Sequence, residues 1–131
     1  MARQIYVNLP VQDLNRSVGF FTKLGFKFDP KFTDANATCM IVGENIYVML
    51  LLRKFFKTFT PREICDAKTS TEVLVCLSCE SRAEVDELVV KAVKAGGSMV
   101  RKAQDHGFMY GHGFEDLDNH IWELIYLEKT P

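Results

Sequence analysis

The order of elements predicts an α+β fold. Two βαβββ modules would combine into a curved eight-stranded mixed sheet, or cup, with the helices outside. Three observations carry this expectation. A strand followed by a helix opens each half, at Tyr6–Val11 and again at Glu72–Leu77, and further strands follow both. The turn and strand Gly43–Leu51 recur as Gly113–Leu127, with Asn45-Ile46-Tyr47 in the place of His120-Ile121-Trp122. The length of 131 residues suits one compact domain over residues 1–131 with a real core.

Element by element, a first strand at Gln4–Pro10 leads to Asp13, an N-cap for a helix from Leu14 to Leu24. Leu14, Val18, Phe21 and Leu24 form its apolar stripe, and Gly25 ends it. Strands are expected at Lys27–Phe32, Ala37–Val42 and Asn45–Leu52, which complete a module of residues 1–52. Residues 53–70 read as a crossover linker with one short helical turn. Phe55, Phe56 and Phe59 are too apolar for a free tether and should pack on the domain or on a second subunit.

The second module, residues 71–131, starts with a strand at Thr71–Ser78. The capping box Ser81-Arg-Ala-Glu84 then starts a helix from Arg82 to Ala95. Gly96-Gly97 follows that helix instead of preceding one, so it is a C-cap and not a phosphate loop. Strands at Ser98–Ala103, Phe108–Glu115 and His120–Leu127 close the module.

A hydrophobic fraction of 47%, a charged fraction of 25% and a net charge of −1 are those of an ordinary globular chain. No run of Lys or Arg marks a nucleic-acid partner. The longest apolar run, Ile46–Leu52, is too short to span a bilayer, and no secretory signal is evident, so a cytoplasmic location is expected. Cys76 and Cys79 form a CxxC pattern, but odd spacing on a strand points them to opposite faces, and no second pair completes a zinc site. Reduced thiols are the expectation for Cys39, Cys65, Cys76 and Cys79.

The terminal strand is the most informative segment. Alternation puts Trp122, Leu124 and Tyr126 on one face and Ile121, Glu123, Ile125 and Leu127 on the other. A carboxylate among apolar neighbours needs a metal, a substrate group or a protein donor, unless that face reaches the rim and solvates it. Upstream, Gly107, Gly111 and Gly113 flank Phe108, Met109 and Tyr110. This pattern suits either a mobile aromatic ligand wall or an edge strand plugged by aromatics. His112 on that strand is a candidate to point into the cup toward Glu123, whereas His106 and His120 read as rim residues.

Val7-Asn-Leu-Pro-Val-Gln-Asp-Leu14, Ser17-Val-Gly-Phe-Phe21 and Leu24-Gly-Phe26 resemble the opening of vicinal oxygen chelate proteins. Phe114-Glu-Asp-Leu-Asp-Asn-His-Ile-Trp-Glu-Leu124 resembles their closing motif, and the resemblance spans essentially the whole chain. The superfamily includes glyoxalase I, bleomycin and fosfomycin resistance proteins and extradiol dioxygenases. Carried over residue by residue, the resemblance implies Glu123 as the last-strand metal ligand and Glu72 as its counterpart on the second module's first strand. The two would serve as metal ligands and as catalytic carboxylates. The first-strand position falls at Tyr6 and the additional glyoxalase position at Val48, neither of which suits a cation. Tyr6, Val48, Tyr110 and His112 are therefore expected to line the ligand.

Two functions compete. One is metal-assisted lyase, isomerase, transferase or dioxygenase chemistry with a divalent ion (Mg, Mn, Zn, Ni or Fe). Oxygen ligands favour Mg, Mn or Ca within that reading. The other is a metal-free module that binds and sequesters a small molecule, with a metal and no metal equally expected. A homodimer is expected, because family members commonly pair and the cup exposes strand edges. A regulatory ferredoxin-like domain fits the extra strands less well.

Overall fold

The computed structural model describes residues 2–128; residue 1 and residues 129–131 of the expected domain lie outside them. The fold is α+β, βαβββ in the first half and the same order with one more short strand in the second, and the chain divides into two compact units between Ile64 and Cys65.

The first unit contains β1 (Ile5–Val11), α1 (Leu14–Lys23), β2 (Lys27–Asp29), β3 (Ala37–Gly43) and β4 (Ile46–Leu52). Asp13 caps α1 by accepting from the Arg16 backbone N–H at 2.9 Å, and Gly25, at φ +102°, takes the left-handed conformation that ends it. The sheet order is β1-β4-β3-β2, with β1 parallel to β4 and the other pairs antiparallel. Asp29 and Pro30 redirect the expected Lys27–Phe32 strand into a 3-10 turn over Pro30–Phe32. Leu9, Val11, Met40, Val48 and Leu50 share one face and are at most 2% exposed, so they form this unit's core. After β4 come α2 (Arg53–Phe56) and a 3-10 turn (Lys57–Phe59), which set Phe55 edge-on to Phe59 at 5.1 Å.

The second unit contains β5 (Leu74–Ser78), α3 (Arg82–Lys94), β6 (Ser98–Met99), β7 (Gln104–Asp105), β8 (Met109–Glu115) and β9 (Ile121–Leu127). Ser81 Oγ accepts from the Glu84 backbone N–H at 3.0 Å, one arm of the expected capping box. The order is β5-β9-β8-β6, with β7 also pairing with β8.

Of the expected strand Ser98–Ala103 only Ser98–Met99 forms, and a further short strand at Gln104–Asp105 raises the strand count to nine among the described residues. Met99 faces Phe114 and Gln104 faces Gly111, so five steps along this segment oppose three along β8. Two residues are in excess, and residues 100–103 leave the ladder as a bulge.

Candidate functional site

The register of the second unit sorts its side chains into two faces. Trp122, Leu124, Phe114 and His112 lie toward α3, whose Val85, Val89 and Ala92 are buried. Trp122 is fully buried on the opposite face from Glu123, as alternation predicts. Its indole Nε1–H donates to Asp116 Oδ2 at 3.0 Å. Asp116 Oδ1 accepts the backbone N–H groups of Asp118 and His120, so one carboxylate holds the turn and anchors the tryptophan together. Burial pushes the Asp116 carboxyl above its usual range, against the opposing pull of His120 and these donors.

The face turned away from α3 carries Glu123. Cys76 on β5 and Gly113 on β8 are its register partners. A side chain at Gly113 would be blocked: its Cβ would lie 2.8 Å from the Trp122 carbonyl oxygen and 3.1 Å from Glu123 Oε2. Glycine thus lets the carboxylate lie down across β8. Arg101, from the bulge, reaches over and donates from Nη2 to both carboxylate oxygens, at 3.1 and 2.9 Å. The Glu123 side chain is 16% exposed and that of Arg101 41%. Burial, and then the Glu123 charge, pushes the Cys76 thiol up, so it stays protonated at neutral pH. Cys79 is pushed further, to about 12, by burial and by Glu84.

Several expected site residues are placed elsewhere. His112 does not point toward Glu123: it is 8% exposed on the α3 face, and its Nδ1 accepts the Gly113 backbone N–H at 3.0 Å. Tyr110 shares that face; its hydroxyl donates to Asp86 on α3 at 2.6 Å and its ring lies under Arg82. The alternation of β8 imposes both corrections. Glu72 is exposed and lies ahead of β5, four residues upstream of Cys76, the residue that actually faces Glu123, so the expected carboxylate pair does not form in register.

In the first unit, Tyr6 faces Tyr47 across β1 and β4, and the rings stack at 4.9 Å. The Tyr6 hydroxyl donates to Gln4 Oε1 at 3.0 Å. Val48 is 1% exposed in the core, on the other face from Tyr6, so it cannot line a ligand beside that ring. Met49 takes the position two residues beyond Tyr47 on Tyr6's face.

The reason for the Val48 error is a one-residue shift between the halves. Asn45 (φ 65°) and Asn119 (φ 67°) are the left-handed turn residues, so Ile46 corresponds to His120 and Met49 to Glu123. The helix caps give the matching answer at the other end: Tyr6 precedes Asp13 by as many residues as Leu74, and not Glu72, precedes Ser81.

Comparisons with known proteins agree with this architecture. The bleomycin resistance protein-like N-terminal family matches residues 3–43. A hypothetical protein from S. aureus is 30% identical, with a TM-score of 0.82 over 96% of this chain and 94% of that one. A glyoxalase/bleomycin resistance protein/dioxygenase family enzyme from Burkholderia phytofirmans PsJN aligns with TM-score 0.79 and 14% identity, over 96% of this chain and 99% of that one. The chain belongs to the glyoxalase/bleomycin resistance/dioxygenase family. A fosfomycin resistance protein from Listeria monocytogenes shares the fold at TM-score 0.67 and 18% identity, over 96% of this chain and 93% of that one. No curated protein matches the chain by sequence.

Membership in this family raises the question of a divalent ion. Among the described residues, no cluster of three or more His, Cys, Asp or Glu side chains is close enough to hold one. The donors present do not fit it. Glu123 already has a guanidinium on both oxygens, its neighbours are a protonated thiol and a glycine, and the corresponding positions carry Leu74, Tyr6 and Met49. Nor, among the described residues, is any helix long and apolar enough to cross a membrane.

Proposed function

We propose that this family member binds a small molecule without a divalent ion, in the manner that the bleomycin resistance side of the family name suggests. The observation that carries the reading is the Arg101–Glu123 pair. The carboxylate at the family's last-strand position is neutralised by a protein cation. A metal at Glu123 would have to displace that guanidinium and would gain no imidazole or second carboxylate in return. The apolar and aromatic residues Tyr6, Tyr47 and Met49 on one face of the first sheet support a ligand with hydrophobic surface.

Elemental analysis of the purified protein, with thermal melts in Mg, Mn, Ni and Zn, tests the proposal. The expected result is no stoichiometric metal and no change in midpoint, because only an ion that binds the native state raises it. A rise of several degrees that Glu123→Gln abolishes would overturn the reading and restore metal-assisted chemistry. Exposed Phe59 supports the homodimer as well, and sedimentation that shows only monomer at micromolar concentration would remove it.

A further inference from the structure

The bulge between β6 and β7 gives Arg101 more than a structural role. All of its hydrogen bonds to Glu123 leave from Nη2. Among the described residues, Nε and Nη1 donate to no acceptor. An arginine carries five N–H donors in a rigid plane, so its orientation is set while a second donor group remains unspent. Next to the pair, on the face of β8 where Glu123 covers Gly113, Gly111 leaves bare backbone, and an added Cβ there would meet nothing closer than 3.9 Å. Ile125 faces Gly111 and supplies an apolar border. Cys76 borders Glu123 as a neutral thiol and adds no negative charge.

We propose that this floor receives a small carboxylate-bearing molecule with an apolar body. Its carboxylate accepts from a free N–H group of Arg101, and its body lies over Gly111 against Ile125. Glu123 is the positioning residue: it holds the guanidinium over the sheet and prevents it from folding back into solvent. The inference rests on the metal-free reading and adds a ligand class to it. With Nη2 held on Glu123, Nε and Nη1 leave different edges of the guanidinium, so the ligand carboxylate takes a charge-assisted hydrogen bond from one of them.

The test is an NMR titration of the full chain with benzoate, using benzamide as its uncharged isostere. Benzoate should shift the Arg101 Nε resonance and the Gly111 and Gly113 amides to saturation, and benzamide should leave them in place. Arg101→Gln should weaken benzoate binding by about tenfold or more, the effect of losing charge-assisted hydrogen bonds. Gly111→Ala, whose added methyl group makes only ordinary contacts with Ile125 and the Leu124 carbonyl, should fold normally and also weaken binding by covering the floor. Equal shifts from benzamide, benzoate binding that survives Arg101→Gln, or a response to phosphate but not to benzoate would each overturn the proposal. Silence toward both benzoate and divalent ions would remove this inference and leave the metal-free reading standing. Stabilisation by a metal would remove both.

Discussion

The two modules share a frame and differ in the chemistry mounted on it. Each opens its helix with an oxygen cap, Asp13 or Ser81, closes it with a left-handed glycine, Gly25 or Gly96, and enters its last strand through a left-handed asparagine. Corresponding positions then diverge. Tyr6, Tyr47 and Met49 in the first module become Leu74, Ile121 and Glu123 in the second. The core position Val48 becomes Trp122, and Val11 becomes Cys79. The second sheet also carries the two-residue bulge that delivers Arg101. Backbone-determining residues recur because turn and cap geometry leaves few alternatives. Residues on the face away from the helix differ between the modules: the first carries the stacked Tyr6 and Tyr47, and the second carries the Arg101–Glu123 ion pair.

The largest test of this comparison is at the paired core positions. Trp122→Ala should cost about 3–5 kcal/mol, because it removes a large buried ring and leaves Asp116 without its indole donor. Val48→Ala should cost about 1.5–3 kcal/mol, the value of burying a smaller side chain. Urea denaturation midpoints check both, and equal losses would show that the second core is no more dependent on its aromatic than the first.

A smaller contrast separates two glycines on one strand. Gly113→Ala should destabilise by about 1–3 kcal/mol, because its methyl group meets the Trp122 carbonyl and the Glu123 carboxylate. Gly111→Ala should stay within about 0.5 kcal/mol, since its added carbon finds only ordinary contacts. If Gly113→Ala proved as mild as Gly111→Ala, the close seat of Glu123 across β8 would be refuted.

The smallest effect is a pH dependence: burial raises the Cys39 thiol of the first module as well, and Cys79 of the second is raised to about 12. Cys79 is held protonated to about 12 in the fold, whereas an unfolded thiol ionises near ~8.5. The unfolded chain therefore binds fewer protons than the native one across that window. The thiol's contribution is complete below the unfolded value and declines as pH rises toward the folded one. Cys79→Val, which installs the first module's residue, should flatten stability against pH above neutrality. An unchanged slope would place the titration elsewhere.

Short-range signals made much of this legible in advance. Helix limits at α1 and α3 came from caps and glycines a few residues apart, and the burial of Trp122 opposite Glu123 came from alternation within one strand. The resemblance of the opening and closing segments pointed to the right family. What misled was correspondence between distant strands. Matching His120 to Asn45 shifted the second half by one position, and on a strand one position exchanges the faces, so Val48 was assigned to a ligand and lies in the core. Placing Glu72 on the first strand failed for a related reason, because that strand starts only at Leu74.

By itself the sequence determined the two long helices, their caps, the repeated strand–helix–strands order and the face carrying Glu123, because each depends on contacts within a few residues. Tertiary structure alone decided the strand registers, the turning of Tyr110 and His112 toward α3, and the reach of Arg101 across to Glu123, 22 residues away in sequence. Register is set by which backbone groups a partner strand offers. An ion pair across a bulge depends on two surplus residues that become visible only when both strands are aligned.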